Sequence, residues 1–318
     1  MRNKYLLLTA VAAFACASCV VDKSAGPAND KTVQIGNIEA YVDYQVPVKS
    51  GSATIVTLGE DTLAVTRTTA TIPVPRYAVR SGELKTTYSD DPIYENFSAS
   101  QYWHYIAFED SRKADYDYND LVIHCRVRTS NGGFGENHQM LHKHEVSVQP
   151  VALGGTRKVK LGILYKESEA SERVLEKILC EDVRAELFDG NPTFPINTNP
   201  SKEIRQVSSE LTPLFTLTNY DLGFKVVWFI ETGSDRFYAA TTNLGADQTY
   251  EMISPDGLPY GISLTQKWDY PIEKCSIREV YPGFDEWLRT GDEEILLKNP
   301  DREKKFPASY HKLWNYTN

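Results

Sequence analysis

The sequence predicts a mainly β protein, built as an antiparallel β-sandwich or jelly-roll-like domain with one or two short helices. Short segments rich in β-branched and aromatic residues recur along most of the chain. Glycine, proline, aspartate and asparagine separate these segments at intervals typical of turns. Helical periodicity is confined to two places. Many strands with few helices are typical of sandwiches and related all-β domains.

The first residues have the parts of a secretion signal. Arg2 and Lys4 form a basic start, and residues 5–15 are almost wholly apolar. This apolar segment is shorter than the roughly 20 residues that a membrane-spanning helix requires. We therefore predict a signal peptide over residues 1–18 and an exported mature protein.

A lipid anchor is predicted where the signal ends. Cys19 follows small residues, as the acylated cysteine of a bacterial lipobox does, and residues 19–31 then form a polar, flexible, lipidated tether. Cys16 is the alternative acylation site, and an ordinary cleaved signal is the alternative to a lipoprotein. We expect palmitate on Cys19 and attachment to the outer membrane of the cell envelope, facing the periplasm or the exterior.

The charge balance restricts the classes of partner. The 318 residues carry 34 Lys and Arg against 43 Asp and Glu, so the formal net charge is −9. An acidic protein is repelled by nucleic acid and by anionic membrane surfaces. We therefore expect no nucleic-acid partner, whereas cation binding fits this charge.

Three cysteines lie beyond the predicted anchor, namely Cys125, Cys180 and Cys275. An odd number so widely spaced is not the pattern of a disulfide framework. One disulfide with a free thiol, or three free thiols, are the alternatives.

Residues 32–80 are predicted to be an N-terminal β segment. Its strands are expected at residues 32–35, 38–46, 53–58 and 62–67, punctuated by Gly51, Gly59 and Asp61. This segment forms either a small β module of its own or the first strands of one sandwich.

Residues 100–318 are predicted to be the main β-sandwich domain. Its strands are expected at residues 103–108, 121–128, 144–150, 158–165, 224–231 and 237–241. Residues 169–183 are predicted to be a helix, because Val174, Ile178 and Leu179 recur there at helical spacing. A second, short helix is predicted after Pro282, with Phe284, Trp287 and Leu288 on one side.

Oxygen-bearing side chains crowd the connection between the first two strands of the main domain. Such groups repel one another unless a cation or backbone donors hold them, and Ca²⁺ takes six to eight hard oxygen ligands. The sequence therefore predicts a calcium site whose candidate ligands lie within twelve positions: Glu109, Asp110, Asp115, Asp117, Asn119 and Asp120.

This loop is not an EF-hand, and a second interpretation of it stays open. Asp120 stands where the turn glycine belongs, and Arg126 occupies the position of the bidentate glutamate. Alternatively, the acidic side chains cap backbone N–H groups in an Asx-rich turn without any metal.

Histidines and aromatic residues offer weaker signals. His138, His142 and His144, with His124 upstream, fit a zinc site poorly, so a solvated loop and strand edge is favoured. The aromatic residues beside the acidic loop fit a sugar-binding surface, but core packing is the commoner role of such residues. These residues are Tyr102, Trp103, Tyr105, Tyr116, Tyr118, Trp268 and Tyr270.

Five segments together resemble the LruC-domain family of bacterial proteins. Residues 106–110 (IAFED) and 115–122 (DYDYNDLV) are similar to its opening motif. Its closing motifs are matched, in order, at residues 256–262 (DGLPYGI), 270–274 (YPIEK) and 280–288 (VYPGFDEWL). The resemblance spans about Tyr102 to Trp314, and residues 169–210 depart from it. It implies an exported, often lipid-anchored protein without an established catalytic activity.

The expected function is binding, adhesion or structural presentation at the cell envelope, by a non-enzymatic β domain that Ca²⁺ organises. A glycan or a protein is the expected ligand. Two alternatives come from other classes. A glycan-active hydrolase would use two carboxylates of the acidic loop at a defined separation. A fimbria-like structural subunit would present an unpaired strand edge to a partner strand.

Overall fold

Antiparallel strands are the main secondary structure of the computed structural model, which describes residues 35–189, 192, 195–202, 204–205, 207–208, 210–239 and 252–307. The predicted signal peptide, tether and lipidation site lie outside the described residues. So do residues 32–34 and 240–241 of two predicted strands. The described residues all fall within one unit, Val33–Asn318.

The strands within these ranges are more numerous than predicted, and β6, β7 and β8 are longer than predicted. They are β1 (Tyr41–Val46), β2 (Ala53–Leu58), β3 (Asp61–Thr66), β4 (Ala70–Pro75), β5 (Leu84–Ser89), β6 (Ala99–Phe108), β7 (Leu121–Phe134), β8 (Met140–Ala152), β9 (Val159–Lys166), β10 (Val174–Cys180), β11 (Thr212–Asn219), β12 (Val226–Thr232), β13 (Asp235–Tyr238) and β14 (Gly261–Leu264). Five short α-helices accompany them, where one or two were expected: α1 (Arg76–Ser81), α2 (Val183–Leu187), α3 (Ile277–Val280), α4 (Phe284–Thr290) and α5 (Glu293–Leu297).

Two sheets form the sandwich. The large sheet has the order β11-β8-β7-β6-β3-β2-β5, with β14 also paired to β6, and the small sheet has the order β10-β9-β12-β13. Strands β1 and β4 form a separate two-stranded sheet. Neighbouring strands in all three sheets run antiparallel. The predicted mainly antiparallel β fold is confirmed.

Three of the first five strands belong to the large sheet. Strands β2, β3 and β5 lie in it, and β3 pairs with β6, where Ala64 lies opposite Ser100 and Val65 opposite Ala99. Residues 32–80 therefore contribute β2 and β3 to the sheet that contains β6, β7 and β8.

The main core lies between the two sheets. Ile123 and Cys125 of β7 point into it, and Val226, Trp228 and Ile230 of β12 face them from the small sheet. Side chains two positions apart share a face of a strand, so one face of each sheet supplies this core. The opposite face of β7 is left for a third layer.

That third layer contains the short helices α3 to α5. Phe284, Trp287 and Leu288 of α4 are buried, as the sequence predicted, and they pack in a second core with Val122 of β7. Helix α4 is followed by Gly291 as its C-terminal cap, whose φ of 69° is the left-handed conformation that glycine favours. The large sheet is therefore covered on both faces, which explains why β6 is buried from Tyr102 to Phe108.

The helix predicted over residues 169–183 is wrong. Strand β10 pairs with β9 there, and only Val183–Leu187 is helical. A spacing of four positions fits one face of a strand as well as one face of a helix, and Val174 and Ile178 pack together on the outer side of the small sheet. A bulge between Ile178 and Cys180 then directs Cys180 into the main core. Pairing with β9 therefore makes residues Val174–Cys180 a strand and not a helix.

A buried carboxylate joins α5 to the chain that leaves β14. The oxygens of Glu293 accept hydrogen bonds from Thr265 N at 2.9 Å, Thr265 Oγ1 at 2.9 Å and Gln266 N at 3.2 Å. Burial nevertheless raises the pKa of Glu293 from 4.5 to about 7, and the hydrogen bonds offset only part of that rise. The folded protein therefore keeps a proton on Glu293 to a higher pH than the unfolded chain does.

We expect this proton to make stability fall as the pH rises. The stability that this proton contributes is fully present below pH 4.5, the pKa of Glu293 in the unfolded chain. It is lost as the pH rises through about 7, the pKa of Glu293 in the folded protein. A Glu293→Gln variant has no such proton, so the stability of the natural protein relative to it should decline by up to about 1.4 kcal/mol per pH unit. Urea denaturation at pH 5, 6, 7 and 8 measures this difference. Parallel curves for the two proteins would contradict it.

Candidate metal site

The acidic loop connects β6 to β7 at one end of the large sheet. Glu109 follows the last residue of β6, and its N–H donates to Tyr260 O at 2.9 Å. The loop is not extended, because Tyr116 and Tyr118 have φ angles of 56° and 49°. Asp117, Tyr118 and Asn119 are consequently all buried, although alternate residues would face opposite sides in a strand. The loop folds back over its own carboxylates.

Three of the six predicted ligands come together. One oxygen from each of Glu109, Asp115 and Asp117 lies within 4.8 Å of the other two. Glu109 and Asp117 are buried, whereas Asp115 is exposed. Such a group has a closed inner side and one side open to solvent.

One carboxylate oxygen of Glu109 is buried without a hydrogen-bond partner among the described residues. Its Oε1 accepts the N–H of Tyr118 at 2.6 Å, but Oε2 has no hydrogen-bond partner among the described residues. Glu109 is fully buried, with an exposed fraction of 0%. Buried polar atoms almost always have a partner, so this oxygen marks an unfilled requirement for a donor or a cation.

Asp117 ties the loop to the third layer. Its Oδ2 accepts the N–H of Lys274 at 2.8 Å, and its Oδ1 accepts the N–H of Asn119 at 3.2 Å. Ile277 N also donates to Tyr116 O at 2.7 Å. The contact of Asp117 with the N–H two positions later is the Asx-type cap expected of the alternative without a metal. Asp117 therefore has both a capping geometry and a place in the acidic group.

The remaining predicted ligands border this group. Asp110 N donates to Asp120 Oδ2 at 2.8 Å, which brings both ends of the loop together. Asn119 Nδ2 donates to Pro271 O at 3.2 Å, while Asn119 Oδ1 is buried without a partner among the described residues. Asp110 and Asn119 are buried, and Asp120 is half-buried.

Crowding in a buried loop changes the acidity of its members. Burial, followed by the charges of Asp120 and Asp117, raises the pKa of Glu109 well above its usual range. Burial and then the charge of Asp115 raise the pKa of Asp117 to about 8. Burial and then the charge of Asp110 raise the pKa of Asp120 to about 7. Full ionisation of the loop near pH 7 is therefore unfavourable without a neighbouring positive charge.

The histidines form hydrogen bonds inside the sheet. His144 contacts Thr129 Oγ1 through Nδ1 at 2.8 Å and Asn219 Oδ1 through Nε2 at 2.7 Å, and His142 Nε2 contacts Ser98 Oγ at 3.1 Å. Both are buried on one face of β8, so the expected solvated edge is wrong for them. Burial also lowers the pKa of His144 to about 4, which keeps it neutral.

The aromatic residues near the loop mostly pack in the interior. Tyr118, Trp268 and Tyr270 are buried in the second core with α4. Tyr118 OH donates to Pro259 O at 2.6 Å, and Tyr116 OH donates to Asp256 at 2.9 Å at the surface. Core packing therefore accounts for most of this group.

All three cysteines of the main domain are free thiols. Cys125 and Cys180 are buried, and Cys275 is half-buried. Burial raises the pKa of Cys125 well above its usual range, so this thiol stays protonated and unreactive.

Two features of the site have no signal in the sequence around the loop. Lys274 contributes its backbone N–H to Asp117 from 157 positions away. Gly154 and Gly155 approach the loop through backbone hydrogen bonds to Asn119 O at 2.9 Å and Asp120 O at 3.4 Å. Only the tertiary structure brings these segments together.

In the described part of the chain, none of the helices is long and apolar enough to cross a membrane.

Comparison with known proteins gives one family match. Residues 228–295, from β12 into α5, match the model of a domain of unknown function, DUF4842. No curated protein matches the chain. A crystal structure of a candidate lipoprotein from Bacteroides ovatus, 13% identical, aligns over 82% of this chain and 94% of that chain with a TM-score of 0.46. The LruC-domain resemblance stays a prediction.

Proposed function

We propose that this protein is an exported lipoprotein of the cell envelope whose β domain is organised by Ca²⁺ and acts by binding or structural presentation. The observation that carries the calcium proposal is the buried, unpartnered Glu109 Oε2 beside Asp115 and Asp117. The lipoprotein part rests on the N-terminal sequence, with its basic start, apolar segment and Cys19.

The chemistry of the acidic group favours calcium. Every candidate ligand offers oxygen, which hard cations prefer and which suits zinc or copper less well. Two buried carboxylates and an exposed one leave room for water in a coordination shell of six to eight oxygens. Mg²⁺ demands a stricter octahedral geometry, so an irregular loop of this kind suits Ca²⁺ better.

The positions of the same carboxylates support a binding protein over a glycan-active hydrolase. A hydrolytic pair must face a sugar ring placed between two carboxyl groups. Glu109 and Asp117 are buried, and both accept hydrogen bonds from backbone amides. These contacts hold the carboxylates in a structural role.

Calcium should stabilise the folded domain measurably. At a free concentration of 100 times the dissociation constant, one bound ion contributes about 2.7 kcal/mol, which for a domain of this size raises Tm by about 5–10 °C. Thermal melts of the full chain in chelator and in Ca²⁺ measure this rise. Asp115→Asn should diminish it without unfolding the protein, because Asp115 is exposed.

Glu60→Gln is the matched control for that experiment. Glu60 is an exposed acid in the turn between β2 and β3, so its replacement removes a negative charge outside the loop. It should respond to Ca²⁺ like the natural protein. If Ca²⁺ produces neither heat in titration calorimetry nor a rise in Tm, the calcium proposal fails.

The anchor is tested separately. Cells grown with labelled palmitate should incorporate the label into the natural protein but not into a Cys19→Ala variant. If the Cys19→Ala variant keeps the label and a Cys16→Ala variant loses it, the acylated residue is Cys16.

A further inference from the structure

A groove opens on the large sheet where β3 separates from β6. Within the described strands, β3 and β6 share two residue pairs, at Ala99 and Ser100 of β6, whereas β6 and β7 share nine. Strand β14 takes the place of β3 beside β6 from Tyr105 onward. A cavity of about 270 Å³ lies at the end of β6 where β3 turns away.

Two arginines line this groove, and none of the described residues that line it is acidic. Arg126 and Arg128 lie two positions apart on β7, so their side chains share one face of the sheet. Arg126 is partly buried, with 15% of its side chain exposed, whereas Arg128 is exposed. The guanidinium group of Arg128 forms no ion pair or hydrogen bond with another described residue. The groove therefore has a cation available to a ligand.

The strands beside the groove add to its positive charge. Glu145 of β8 lies opposite Arg128, and its carboxylate is 3.9 Å from the guanidinium group of Arg126. Lys143 shares this face, since it lies opposite Ser130. The described residues of β7 and β8 thus place three cations and one acid on this face, in a chain whose net charge is −9. An anionic ligand complements this part of the surface.

The two arginines are better accommodated with an anion between them. Burial, followed by the charge of Arg128, lowers the pKa of Arg126, and the charge of Glu145 offsets part of this change. A carboxylate can accept hydrogen bonds from a guanidinium group in a paired geometry and would oppose the repulsion between the two cations. A carboxylate is therefore the favoured anion at this place.

The remaining side chains of the groove suit a sugar ring. Phe97 is 43% exposed and provides apolar aromatic surface beside the arginines. Gln101 donates through Nε2 to Thr62 O at 3.1 Å, which leaves its Oε1 to accept a hydroxyl group. Aromatic surface with a few placed polar groups is typical of small-ligand sites. A sugar that bears a carboxylate would use all these groups, whereas an inorganic anion would use the arginines alone.

We propose that this groove binds an acidic oligosaccharide, with the carboxylate of a uronate unit held by Arg126 and Arg128 and the sugar ring against Phe97. This inference rests on the binding role proposed above, since it names the class of ligand. It uses another part of the protein, because the groove lies at the Ala99 end of β6 and the acidic loop follows its Phe108 end. The two sites therefore lie at opposite ends of one strand.

Titration calorimetry of the full chain with a trimer of galacturonate tests this proposal. Protein and sugar solutions contain the same concentration of Ca²⁺, and the natural protein should bind the trimer. Arg128→Gln should weaken binding about tenfold or more, as the loss of a hydrogen bond between charged groups does. Phe97→Ala should weaken it by a smaller factor. Binding should also weaken when NaCl is raised from about 0.05 M to about 0.5 M.

Two controls define the chemistry that is recognised. Arg173→Gln should bind like the natural protein, because Arg173 is an exposed cation just before β10 of the small sheet. A trimer of galactose with the same linkage has hydroxymethyl groups in place of the carboxylates, and it should not bind measurably.

Several results would overturn the proposal. Equal binding of the two sugars would exclude recognition of the carboxylate, and equal binding of trigalacturonate to the natural protein and to Arg128→Gln would place the sugar elsewhere. A triglutamate peptide that binds as tightly would exclude a site built for a glycan. No binding of trigalacturonate overturns this proposal but leaves the calcium site standing, because that site is judged from the Tm in Ca²⁺. The comparison of the two sugars uses the natural protein, so it decides the case even if a variant fails to fold.

Discussion

Glu109→Gln is expected to stabilise the domain in chelator and to destabilise it in Ca²⁺. Glutamine keeps the oxygen that accepts the N–H of Tyr118, so the loop geometry is retained. Without a cation, the substitution removes a buried acid that the charges of Asp120 and Asp117 disfavour. With Ca²⁺, it removes a buried carboxylate ligand of the proposed site. The sign of the effect therefore depends on the ion.

Both effects are large enough to measure by urea denaturation. In chelator at pH 7 we expect a gain of about 1–3 kcal/mol, in the range of single substitutions that remove an unfavourable buried group. At Ca²⁺ concentrations of 100 times the natural dissociation constant, we expect the variant to lose about 2.7 kcal/mol of ion-linked stability. Glu60→Gln is the control, since its carboxylate is exposed outside the loop and its removal should have little effect in either buffer. Equal destabilisation by Glu109→Gln in both buffers would contradict the cation site.

Trp287→Ala should cost about 3–5 kcal/mol, as truncation of a large buried aromatic side chain does. Trp287 is 1% exposed in the second core, and its ring centroid lies 5.5 Å from that of Phe284. Phe284 in turn lies 6.0 Å from the ring of Tyr118 in the acidic loop. Loss of Trp287 thus weakens the packing of the third layer and the support of the loop.

Chemical denaturation in chelator and in Ca²⁺ measures both consequences. The variant should unfold at lower denaturant, and its calcium affinity should fall because the loop is less well supported. Ile93→Ala provides the contrast, since Ile93 is 71% exposed and its truncation should change stability by less than about 0.5 kcal/mol. If Trp287→Ala behaves like Ile93→Ala, the third layer does not stabilise the fold as described.

Local sequence patterns predicted much of the architecture. Segments rich in β-branched and aromatic residues located β6, β7, β8, β9 and β12, and each of these strands gives one face to the main core. Helix α4 was predicted from Pro282 and the spacing of Phe284, Trp287 and Leu288, and the structure confirms that helix. The density of acids at residues 109–120 singled out the loop in which Glu109, Asp115 and Asp117 converge.

The same patterns failed where pairing or burial depends on distant residues. Val174 and Ile178 fit a helix as well as a strand, and β9 decided between them. His142 and His144 were expected in solvent, but Ser98, Thr129 and Asn219 give them partners inside the sheet. Hydrogen-bond partners from other strands have no signature in the local sequence.

The sequence by itself determined the mainly β architecture and the position of the negatively charged loop, because the composition of strand segments and the identity of acidic residues are local properties. The tertiary structure alone decided which acids lose their solvent. It buried Glu109 and Asp117, left Asp115 at the surface, and set Gly155 against Asp110. Burial and the approach of a distant backbone depend on how sheets and helices stack. The burial and acidity of this loop therefore follow from tertiary packing, whereas its acidic composition is given by the sequence.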